Sequence, residues 1–500
     1  MMKNDKTYLN KIGKFKIKLP FVLNSQQKEV IEKIDKFIQD PFETVMTISG
    51  WAGTGKTTLM EIVKNRYWYT GPNIHFAATT HKAAAVLKQK VKKRVSTVNS
   101  LFGILIEIDM DNDAFDVSKK KKVYDTEKLK EGSVVVIDEA SMLSESNYND
   151  VIKKCKDYNC KVIFVGDSAQ LAPVNEDDIS IVFRNQENDS KQIIELTKIE
   201  RTDEVPILNE ATRVRLEGEL SYMSNIVDGN GVRYISNGEE IVETIDKYIG
   251  GLKDNPNYFR ILTYTNKNVE NLNTIIRKKL GYNDIPEVGE PLMSYANWGY
   301  DGGTYTFINS ESYNVNKIIG ERDVELAEII DTYDGDKIMH IIDMEIVDSL
   351  GKKIVIPYLD IKNNPNNRSA VEIVCREKIN AWKRYRNIDA SALQDKIERR
   401  KCLDYINELD DLIFVNDNVR DWNGYLIQSK VVDFGYAHTI HKSQGCTFEN
   451  ILMNDIDISH NCHDNMTRKQ LRYVGITRAK KNVIVLTDIS PENLDMSKKL

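Results

Sequence analysis

A glycine-rich segment near the start of the chain has the residue types and spacing of a phosphate-binding loop. The segment TISGWAGTGKTTLM, residues 47–60, fits the pattern G-x-x-x-x-G-K-[ST]. A run of strand-forming residues precedes it and a helical pattern follows it, which is the context that such a loop requires. Glycines let backbone N–H groups curl around phosphates, and the helix N-terminus adds the positive end of its dipole. The segment therefore predicts nucleotide binding.

The side chains of this loop are expected to divide the contacts between phosphate and metal. Lys56 should reach the β- and γ-phosphates, and the hydroxyl of Thr57 should bind Mg²⁺. The residues expected to hold the nucleotide here are Gly50, Gly53, Thr54, Gly55, Lys56, Thr57 and Thr58.

A pair of carboxylates follows a second buried-strand pattern. In VVVIDEAS, Asp138 and Glu139 come directly after β-branched residues, where a P-loop nucleotidase holds its metal. We expect Asp138 to hold Mg²⁺, mainly through water, and Glu139 to polarise the attacking water. Gln170, in FVGDSAQLAPV, is placed to hydrogen-bond the γ-phosphate and this water.

Two arginines are candidates for stabilising the charge on the transferring phosphoryl group. Arg201 lies in ELTKIERTD and Arg478 lies in LRYVGITRAK. A guanidinium suits this task because its planar donors match phosphate oxygens. A surface ion pair is the alternative for an isolated arginine, and only the surrounding motifs decide between the two.

The elements that must position these residues alternate between strand and helix patterns. Strand-like runs lie at 44–49, 73–80, 134–138 and 161–167, and a second set lies at 259–265, 450–456 and 482–489. Strands that alternate with helices predict βαβ units and parallel sheets. We therefore expect an α/β fold with two lobes.

Length and composition limit the class of protein. The chain has 500 residues, of which 41% are hydrophobic and 29% charged, so we expect more than one domain with sizeable cores. It has no run of 18 apolar residues and no secretion signal, and its six scattered cysteines suggest free thiols in a reducing cytoplasm. We expect a cytoplasmic protein.

Charge and metal-ligand patterns are less informative. The net charge of −6 counts mildly against nucleic-acid binding, but a local channel can be basic on an acidic protein. Basic runs occur at 88–94 and 119–122, and each taken alone is typical of a solvated face. The segment HNCH, with Cys462, lacks a second ligand pair at zinc-site spacing, so no metal site is expected there.

Two segments interrupt the alternation of strands and helices. Residues 103–132 combine strand-like alternation with a polar, turn-like tip at 110–119. Residues 282–430 begin as Gly- and Tyr-rich strand patterns and continue as a charged, helix-prone stretch. The expected domains are a first lobe at 1–95 and 133–200, an inserted β-hairpin at 96–132, a second lobe at 201–281 and 431–500, and an inserted β module with a helical arm at 282–430.

The motifs together resemble those of the superfamily 1 helicases. SGWAGTGKTT, AATTHKAA, VVVIDEAS, VGDSAQLAPV, ELTKIERTD, ILTYTNKNVENLN, AHTIHKSQGCTFENI and LRYVGITRAK occur in the order of that superfamily's motifs. The set is most similar to the RecD-like branch, which moves 5′→3′, and within it to the Dda-type helicases of phages. The motifs run from about residue 23 to 480, but 282–430 resembles the family only in placement.

The resemblance implies two RecA-like lobes with ATP in the cleft between them. It implies that Gln27 reads adenine, although Gln26 is adjacent and the assignment is uncertain by one position. A polar residue on an exposed helix face is the alternative. It also implies that Gln444 and Gly445 contact the nucleotide and that Arg201 and Arg478 reach its phosphates, the latter from the second lobe.

The resemblance further implies contacts with a DNA strand. This chain has Ala78-Thr79-Thr80-His81 where the family usually has APTH, and Asn99 where it often has His. Hydroxyl and amide groups that grip phosphates position a strand without reading its sequence, but a helix cap or turn role is the alternative for each. The residues expected to contact DNA are Thr79, Thr80, His81, Thr97, Asn99, Thr265, Asn266, Thr439, His441 and Ser443.

The resemblance assigns roles to the two insertions as well. The hairpin should be a pin that splits the duplex, with Phe115 as the candidate apolar tip; a small local core is the alternative. An exposed aromatic at such a tip can stack on the terminal base pair. The 282–430 insertion should be an SH3-like module with a helical arm. Trp382 and Tyr385 could dock that arm on the pin, with ordinary packing as the alternative.

The resulting hypothesis is an ATP- and Mg²⁺-dependent DNA helicase that moves 5′→3′ and serves replication, recombination or repair. Its partners would be single-stranded DNA and forked or tailed duplex, with replication or recombination proteins in addition, and we expect a monomer without membrane contact. The alternatives are a 3′→5′ helicase, an RNA helicase and a scaffold that binds nucleic acid with ATP but does not translocate.

Overall fold

The structure, a computed structural model, shows two α/β lobes and a sheet inserted into the second lobe within the residues that it describes. Those residues are 7–9, 16–18, 22–67, 71–108, 120–124, 129–173, 176, 179–184, 192–200, 205–236, 238–252, 255, 257–301, 304–348, 351–389 and 393–488.

The first lobe is built on a parallel sheet. Its elements, with an N-terminal strand pair and an inserted hairpin, are β1 Thr7–Leu9, β2 Lys16–Lys18, α1 Ser25–Gln39, β3 Val45–Gly50, α2 Lys56–Arg66, β4 Ile74–Ala78, α3 His81–Val91, β5 Val95–Thr97, α4 Val98–Leu101, β6 Ile104–Ile108, β7 Lys120–Tyr124, β8 Val134–Asp138, α5 Glu145–Asp157, β9 Lys161–Gly166 and β10 Gln192–Leu196, with 3-10 helices at Ala140–Met142 and Ile181–Phe183. The strand order is β10-β3-β9-β8-β4-β5, with parallel pairs throughout.

Alternation along β8 explains why this sheet is covered on both faces. Val134 and Val136 pack into the core formed with α1 and α2. Val135 and Ile137 pack into the core formed with α5 on the other face. A strand buried on both faces reads as a continuous apolar run, which is the pattern that the sequence shows.

The first insertion is an antiparallel hairpin of β6 and β7 that is fastened to the lobe. The Lys122 ammonium donates to Ser146 Oγ at 2.6 Å and to Asp150 Oδ2 at 2.9 Å, both on α5. The insertion is expected to start at residue 96. It starts later, because β5 pairs with β4 and therefore belongs to the lobe. The expected tip, with Phe115, lies outside the described residues.

The second lobe begins after the first sheet and contains a large insertion. Its first elements are α6 Val205–Glu217, β11 Asn225–Val227, β12 Asn230–Ile235, α7 Gly238–Ile249, a 3-10 helix Gly250–Leu252, β13 Phe259–Thr263 and α8 Asn266–Leu280. The insertion that follows contains β14 Pro291–Ser294, β15 Trp298–Asp301, β16 Thr304–Phe307, β17 Ser312–Glu325, α9 Leu326–Ile329, β18 Ile338–Asp348, β19 Lys353–Leu359, α10 Pro365–Asn387, α11 Leu393–Leu412, β20 Phe414–Val415, β21 Val419–Arg420, β22 Leu426–Gln428 and β23 Val432–Phe434.

The inserted sheet is mostly antiparallel, in the order β20-β19-β18-β17-β14-β23, and α10 packs on it through a core of its own. Because β23 pairs with β14, the insertion continues to Phe434, past the expected boundary at residue 431. The helical arm consists of α10 and α11.

The chain then returns to complete the second lobe. The last elements are β24 Ala437–Thr439, a 3-10 helix His441–Ser443, β25 Phe448–Asn454, α12 Asp455–Asn461, α13 Asn465–Ile476 and β26 Ala479–Leu486. The sheet order is β11-β12-β26-β25-β13-β24, parallel except at the β11 edge. The expectation of two α/β lobes is confirmed. Among the described residues, no helix combines the length and apolar character needed to cross a membrane.

Candidate functional site

The phosphate-binding loop joins β3 to α2 in a conformation that only glycines adopt easily. Gly53 and Gly55 have φ of 81° and 83°, in the left-handed region. No side chain caps the N-terminus of α2, so the first N–H groups of this helix remain available to an anion. Lys56 Nζ donates to the carbonyl of Gly50 at 2.7 Å and to that of Trp51 at 3.1 Å. The ammonium thus lies over the loop that it is expected to serve.

The side chain of Thr54, a residue expected to help bind the nucleotide, bonds within the loop itself. It is fully buried, and its hydroxyl donates to the carbonyl of Trp51 at 2.8 Å. The side chain therefore shapes the turn of the loop.

Gln27 contacts the loop from α1. It is 3% exposed, and its amide NH₂ donates to the carbonyl of Thr54 at 3.1 Å. Its oxygen accepts the N–H of Asn24 at 3.1 Å, which completes a capping box at the start of α1. An amide has two N–H donors and two acceptor lone pairs, so these bonds do not use its full capacity. The neighbouring Gln26 bonds instead to the backbone and hydroxyl of Thr197.

The carboxylate pair lies at the carboxyl end of β8, at the same edge of the sheet as the phosphate-binding loop that follows β3. Asp138 is 6% exposed, and its Oδ1 accepts the N–H of Glu139 at 3.0 Å. Burial raises the pKa of Asp138, the charge of Glu139 adds to the rise, and Lys56 opposes it. A cation beside Asp138 would offset both the cost of burying its negative charge and the repulsion between its carboxylate and that of Glu139. Asp138 and the hydroxyl of Thr57 are oxygen donors of the kind that Mg²⁺ takes together with phosphates and water.

Two glutamines, one on each lobe, have a buried polar atom without a hydrogen-bond partner among the described residues. These atoms are Gln170 Oε1 and Gln444 Nε2. Buried polar atoms are normally paired. Both atoms are therefore suited to bond a ligand or a water, as the sequence suggests for Gln170 and for the Gln444–Gly445 pair. Gly445 has φ of 73°, which lets the turn after Gln444 reverse sharply.

Arg478 follows α13 on the second lobe and is 7% exposed. Its Nε donates to the carbonyl of Val474 at 3.0 Å, and its Nη2 donates to Thr477 Oγ1 at 3.0 Å. To reach a phosphate, the guanidinium would have to exchange these bonds. Arg201, the other expected phosphate-reaching arginine, lies outside the described residues.

The threonines expected to contact DNA include three helix N-caps. The hydroxyl oxygens of Thr80, Thr97 and Thr265 accept the N–H of the residue three positions later, at 3.1, 3.2 and 3.3 Å. The cap role that the sequence left open is thus present at each. A hydroxyl that accepts still has a proton to donate, and in Thr265 this proton reaches Asp457 at 3.1 Å.

Two other members of this set connect the segment after β4 to other parts of the chain. Thr79 Oγ1 donates to the carbonyl of Glu139 at 3.2 Å, which links the loop after β4 to the carboxylate turn. The ring of His81 meets that of Tyr305 from the insertion edge-on, with centroids 5.5 Å apart. Burial lowers the pKa of His81, which favours the neutral imidazole.

Ser443, which is expected to contact a DNA strand, bonds within its own turn. It is fully buried, and its hydroxyl donates to the carbonyl of Ile440 at 2.7 Å, so it stabilises the turn of its 3-10 helix. Thr439 is 8% exposed, whereas His441 is exposed beside it. Asn266 is exposed at the first position of α8, and Asn99 is half-buried in α4.

The helical arm uses its aromatics for local packing. The rings of Trp382 and Tyr385 on α10 meet edge-on with centroids 5.5 Å apart. The guanidinium of Arg399, on α11, lies 4.4 Å from the Tyr385 ring centroid. The first contact lies within α10, and the contact with Arg399 joins the two helices of the arm. Among the described residues, no group of three or more His, Cys, Asp or Glu side chains could hold a metal ion.

Sequence reasoning missed the residues that hold the two lobes together beside the loop. Arg215 on α6 and Tyr473 on α13 both contact Asp167, which follows β9. An arginine on the buried face of a helix is the signal that could have identified Arg215, since such a charge needs a partner. Tyr473 carries no such signal, because an aromatic at helical spacing is typical of core packing.

Comparison with known proteins finds two family matches and several similar proteins. The AAA domain family matches residues 22–235, and the UvrD-like helicase C-terminal domain matches residues 434–486. The ATP-dependent DNA helicase dda of Enterobacteria phage T4 is 33% identical over 265 residues, which cover 52% of this chain and 57% of the relative. The chain thus matches little more than half the length of that relative. An uncharacterised protein of Acanthamoeba polyphaga mimivirus is 24% identical over 92% of this chain and 99% of its own length.

Solved structures with similar folds include Pif1 helicases. The Bacteroides Pif1 helicase in complex with ADP-AlF₃ and single-stranded DNA is 17% identical, with a TM-score of 0.47 and 94% of each chain covered. The Candida albicans Pif1 helicase is 15% identical, with a TM-score of 0.45 and 96% of each chain covered. The AAA match covers the first lobe and extends to β12 of the second lobe, and the UvrD-like match covers the C-terminal part of the second lobe. The chain thus combines a match to the AAA domain family with a match to the UvrD-like helicase C-terminal domain, and over about half of its length it is similar to an ATP-dependent DNA helicase.

Proposed function

We propose that the chain is an ATP-dependent DNA helicase that moves 5′→3′ on single-stranded DNA and unwinds duplex during replication, recombination or repair. The observation that supports this proposal is that the P-loop and the Asp138–Glu139 pair lie at the ends of strands of one sheet, β3 and β8, and that α13 of the other lobe contacts the P-loop, where the Tyr473 hydroxyl accepts the N–H of Ala52 at 3.0 Å. The phage T4 relative, whose name describes an ATP-dependent DNA helicase, supports the same activity.

In this proposal the first lobe binds ATP through the P-loop and prepares water for attack. Lys56 exchanges its carbonyl partners for phosphate oxygens, and Glu139 polarises the water that Gln170 helps to orient. Thr57 and Asp138 would hold Mg²⁺, which when bound neutralises charge on the phosphate oxygens. Gln27 reads adenine with the donor and acceptor capacity that its present bonds leave.

The second lobe supplies Arg478 when the cleft closes, and Arg201 contributes from the segment between the lobes. Hydrolysis removes the group that both lobes hold, so the cleft opens. Such a ligand-driven shift between two domain arrangements can move a strand past the protein.

The strand would cross the loops beyond β4, β5, β13 and β24, which carry the proposed DNA contacts. The carboxyl ends of parallel strands share one edge of a sheet, so the loops after β4 and β5 lie at the same edge of the first lobe's sheet as the P-loop. The Thr79–Glu139 bond supports communication between the two, because one partner follows β4 and the other follows β8.

Unwinding of duplexes with a single tail tests this function. We expect ATP-dependent unwinding when only a 5′ tail is present, and none when only a 3′ tail is present. Lys56→Ala should abolish unwinding and lower the kcat of ATP hydrolysis at least ~100-fold, because the lost ammonium acts on charge that develops in the transition state.

Two controls separate the remaining alternatives. Activity on the 3′-tailed duplex alone would reverse the proposed polarity, and stronger stimulation by RNA than by DNA strands would change the substrate. If DNA failed to raise phosphate release and Lys56→Ala behaved like the unmodified chain, a scaffold that binds ATP without hydrolysing it would replace the helicase.

A further inference from the structure

A buried polar cluster joins the two lobes directly beside the P-loop. Asp167, after β9 of the first lobe, is fully buried, whereas Arg215 on α6 and Tyr473 on α13 of the second lobe are 8% and 2% exposed. The Arg215 guanidinium donates to Asp167 Oδ1, and the Tyr473 hydroxyl donates to Asp167 Oδ2 at 2.9 Å. Since the acid lies on one lobe and its partners on the other, the cluster is complete only in this arrangement of the lobes.

The hydroxyl of Tyr473 also reaches the phosphate-binding loop itself. It accepts the backbone N–H of Ala52 at 3.0 Å and an N–H of Arg215 at 3.2 Å. A phenol has one proton and two lone pairs, so this oxygen has its full set of hydrogen bonds. Burial and the nearby Asp167 raise the pKa of Tyr473, which keeps the phenol protonated and able to donate.

Arg215 holds the loop through its planar face. Its guanidinium lies 4.9 Å from the ring centroid of Trp51, within the P-loop, and 5.3 Å from that of Tyr473. A guanidinium suits such a position because it stacks on rings while it forms an ion pair at its edge. The second lobe therefore contacts two consecutive P-loop residues, Trp51 by its ring and Ala52 by its backbone.

The same cluster is connected to two groups that act on the γ-phosphate in the proposed function. Asp167 accepts the N–H of Ala169 at 3.1 Å, and its carbonyl accepts the N–H of Gln170 at 3.1 Å, so it fixes the turn that carries Gln170. Tyr473 lies five positions before Arg478, near the end of α13. One further inter-lobe bond, from Ala172 N–H to Gln470 Oε1 at 3.2 Å, lies on the same face of α13.

We propose that Tyr473 and Arg215 are positioning residues for ATP hydrolysis, which set the P-loop, Gln170 and the Arg478-bearing end of α13 at one fixed separation. This inference rests on the proposed function, because it concerns the same site. The cluster acts through the groups that it holds, and its own atoms do not contact the phosphates. Loss of the Tyr473 hydroxyl would leave Asp167 and the Ala52 N–H each with one bond fewer and free the loop to move against α13.

The test compares Tyr473→Phe with Tyr234→Phe in the full-length chain. Tyr234 is a matched control because its buried hydroxyl donates to Glu210 Oε1 at 2.6 Å within the second lobe. We expect Tyr473→Phe to lower the kcat of DNA-stimulated ATP hydrolysis ~10-fold or more while the KM for ATP changes less than ~3-fold, as for an interaction that acts in the transition state. Arg215→Lys should lower kcat as well, because an ammonium keeps the charge but loses the stacked, planar contact.

Hydrogen exchange of the nucleotide-free protein provides a second readout that does not require hydrolysis. The peptide spanning residues 48–58 should exchange faster in Tyr473→Phe than in the unmodified chain, and at an unchanged rate in Tyr234→Phe. Equal kcat values for the two tyrosine variants, or unchanged exchange in Tyr473→Phe, would overturn the inference. If the unmodified chain hydrolyses no ATP with DNA, the proposed function fails and this inference fails with it, whereas normal hydrolysis by Tyr473→Phe overturns the inference alone.

Discussion

At the scale of a single residue, the surroundings of Lys442 determine the pKa of its side chain. It lies in the 3-10 helix after β24, where its ammonium donates to the carbonyl of Ser294 at 3.1 Å and to Asn309 Oδ1 at 3.0 Å. Burial lowers the pKa of Lys442 to about 8, and the charges of Lys430 and Lys82 add to this effect. Burial and repulsion from these two lysines therefore make the charged form of Lys442 energetically unfavourable in the folded protein.

This shift predicts a pH dependence of stability with a definite sign. The folded pKa is below the unfolded value of about 10.4, so below pH 8 the burial cost of the charge is fully present. As the pH rises from 8 towards 10, the folded state releases its proton first and the cost declines. The free energy of unfolding of the unmodified protein, relative to that of Lys442→Met, should therefore increase from pH 8 to pH 10.

Urea unfolding of both proteins at pH 7 and pH 9.5 measures the effect. Differencing the two proteins removes the contribution of other groups that titrate in the same range. A difference in midpoint that stays constant between the two pH values would contradict the assignment.

Helix α8 shows how one element fixes the root of the insertion to the second lobe. Arg277 on α8 donates to both oxygens of Glu290 at 2.9 and 3.0 Å, and its guanidinium lies 3.7 Å from the ring centroid of Phe434. Glu290 is fully buried and also accepts the hydroxyl of Tyr436 at 3.0 Å. The pair thus lies where the chain enters the insertion, between α8 and β14, and where it leaves the insertion, after β23.

Breaking the Arg277–Glu290 ion pair should lower the stability of the folded protein strongly. Arg277→Met leaves a buried carboxylate without its cation, a change that costs about 3–5 kcal/mol in comparable pairs. We expect a lower urea midpoint for Arg277→Met than for the unmodified chain. Adding Glu290→Gln should recover part of the loss, since it removes the unpaired charge; no recovery in the double variant would contradict this account.

The whole molecule is joined where the two lobes and the insertion meet, around Lys82. This residue of α3 is 7% exposed, and its ammonium donates to the carbonyl of Ser310 at 2.8 Å and contacts Cys446 Sγ at 2.8 Å. Lys442 of the second lobe contacts the same insertion loop at Asn309. The loop at 308–311 therefore touches both lobes, beside the proposed strand contacts of His81 and His441.

Lys82→Met should weaken this three-way contact because the carbonyl of Ser310 loses its buried donor. We expect faster hydrogen exchange in the peptide spanning residues 305–312. Lys88→Met, on the exposed face of the same helix, is the matched control. Similar exchange in the two variants would show that Lys82 does not hold the loop.

The sequence by itself determined the P-loop, the carboxylate pair and the strands that carry them. Local spacing sets this chemistry, and continuous apolar runs reveal strands that are buried on both faces. The sequence also identified the motif order of the family, whereas the cap roles of Thr80 and Thr265 became certain only with the helix starts in place.

Only the tertiary structure decided how the lobes meet. Asp167 and Tyr473 are 306 positions apart, and Asp167 and Arg215 are 48 apart, so no local pattern relates them. The burial of Ser443 and Thr54 likewise depends on turns that bring their hydroxyls to carbonyls of the same loop. Hydrogen bonds and ion pairs between distant segments depend on the packing of whole sheets and helices, which spacing along the chain does not specify.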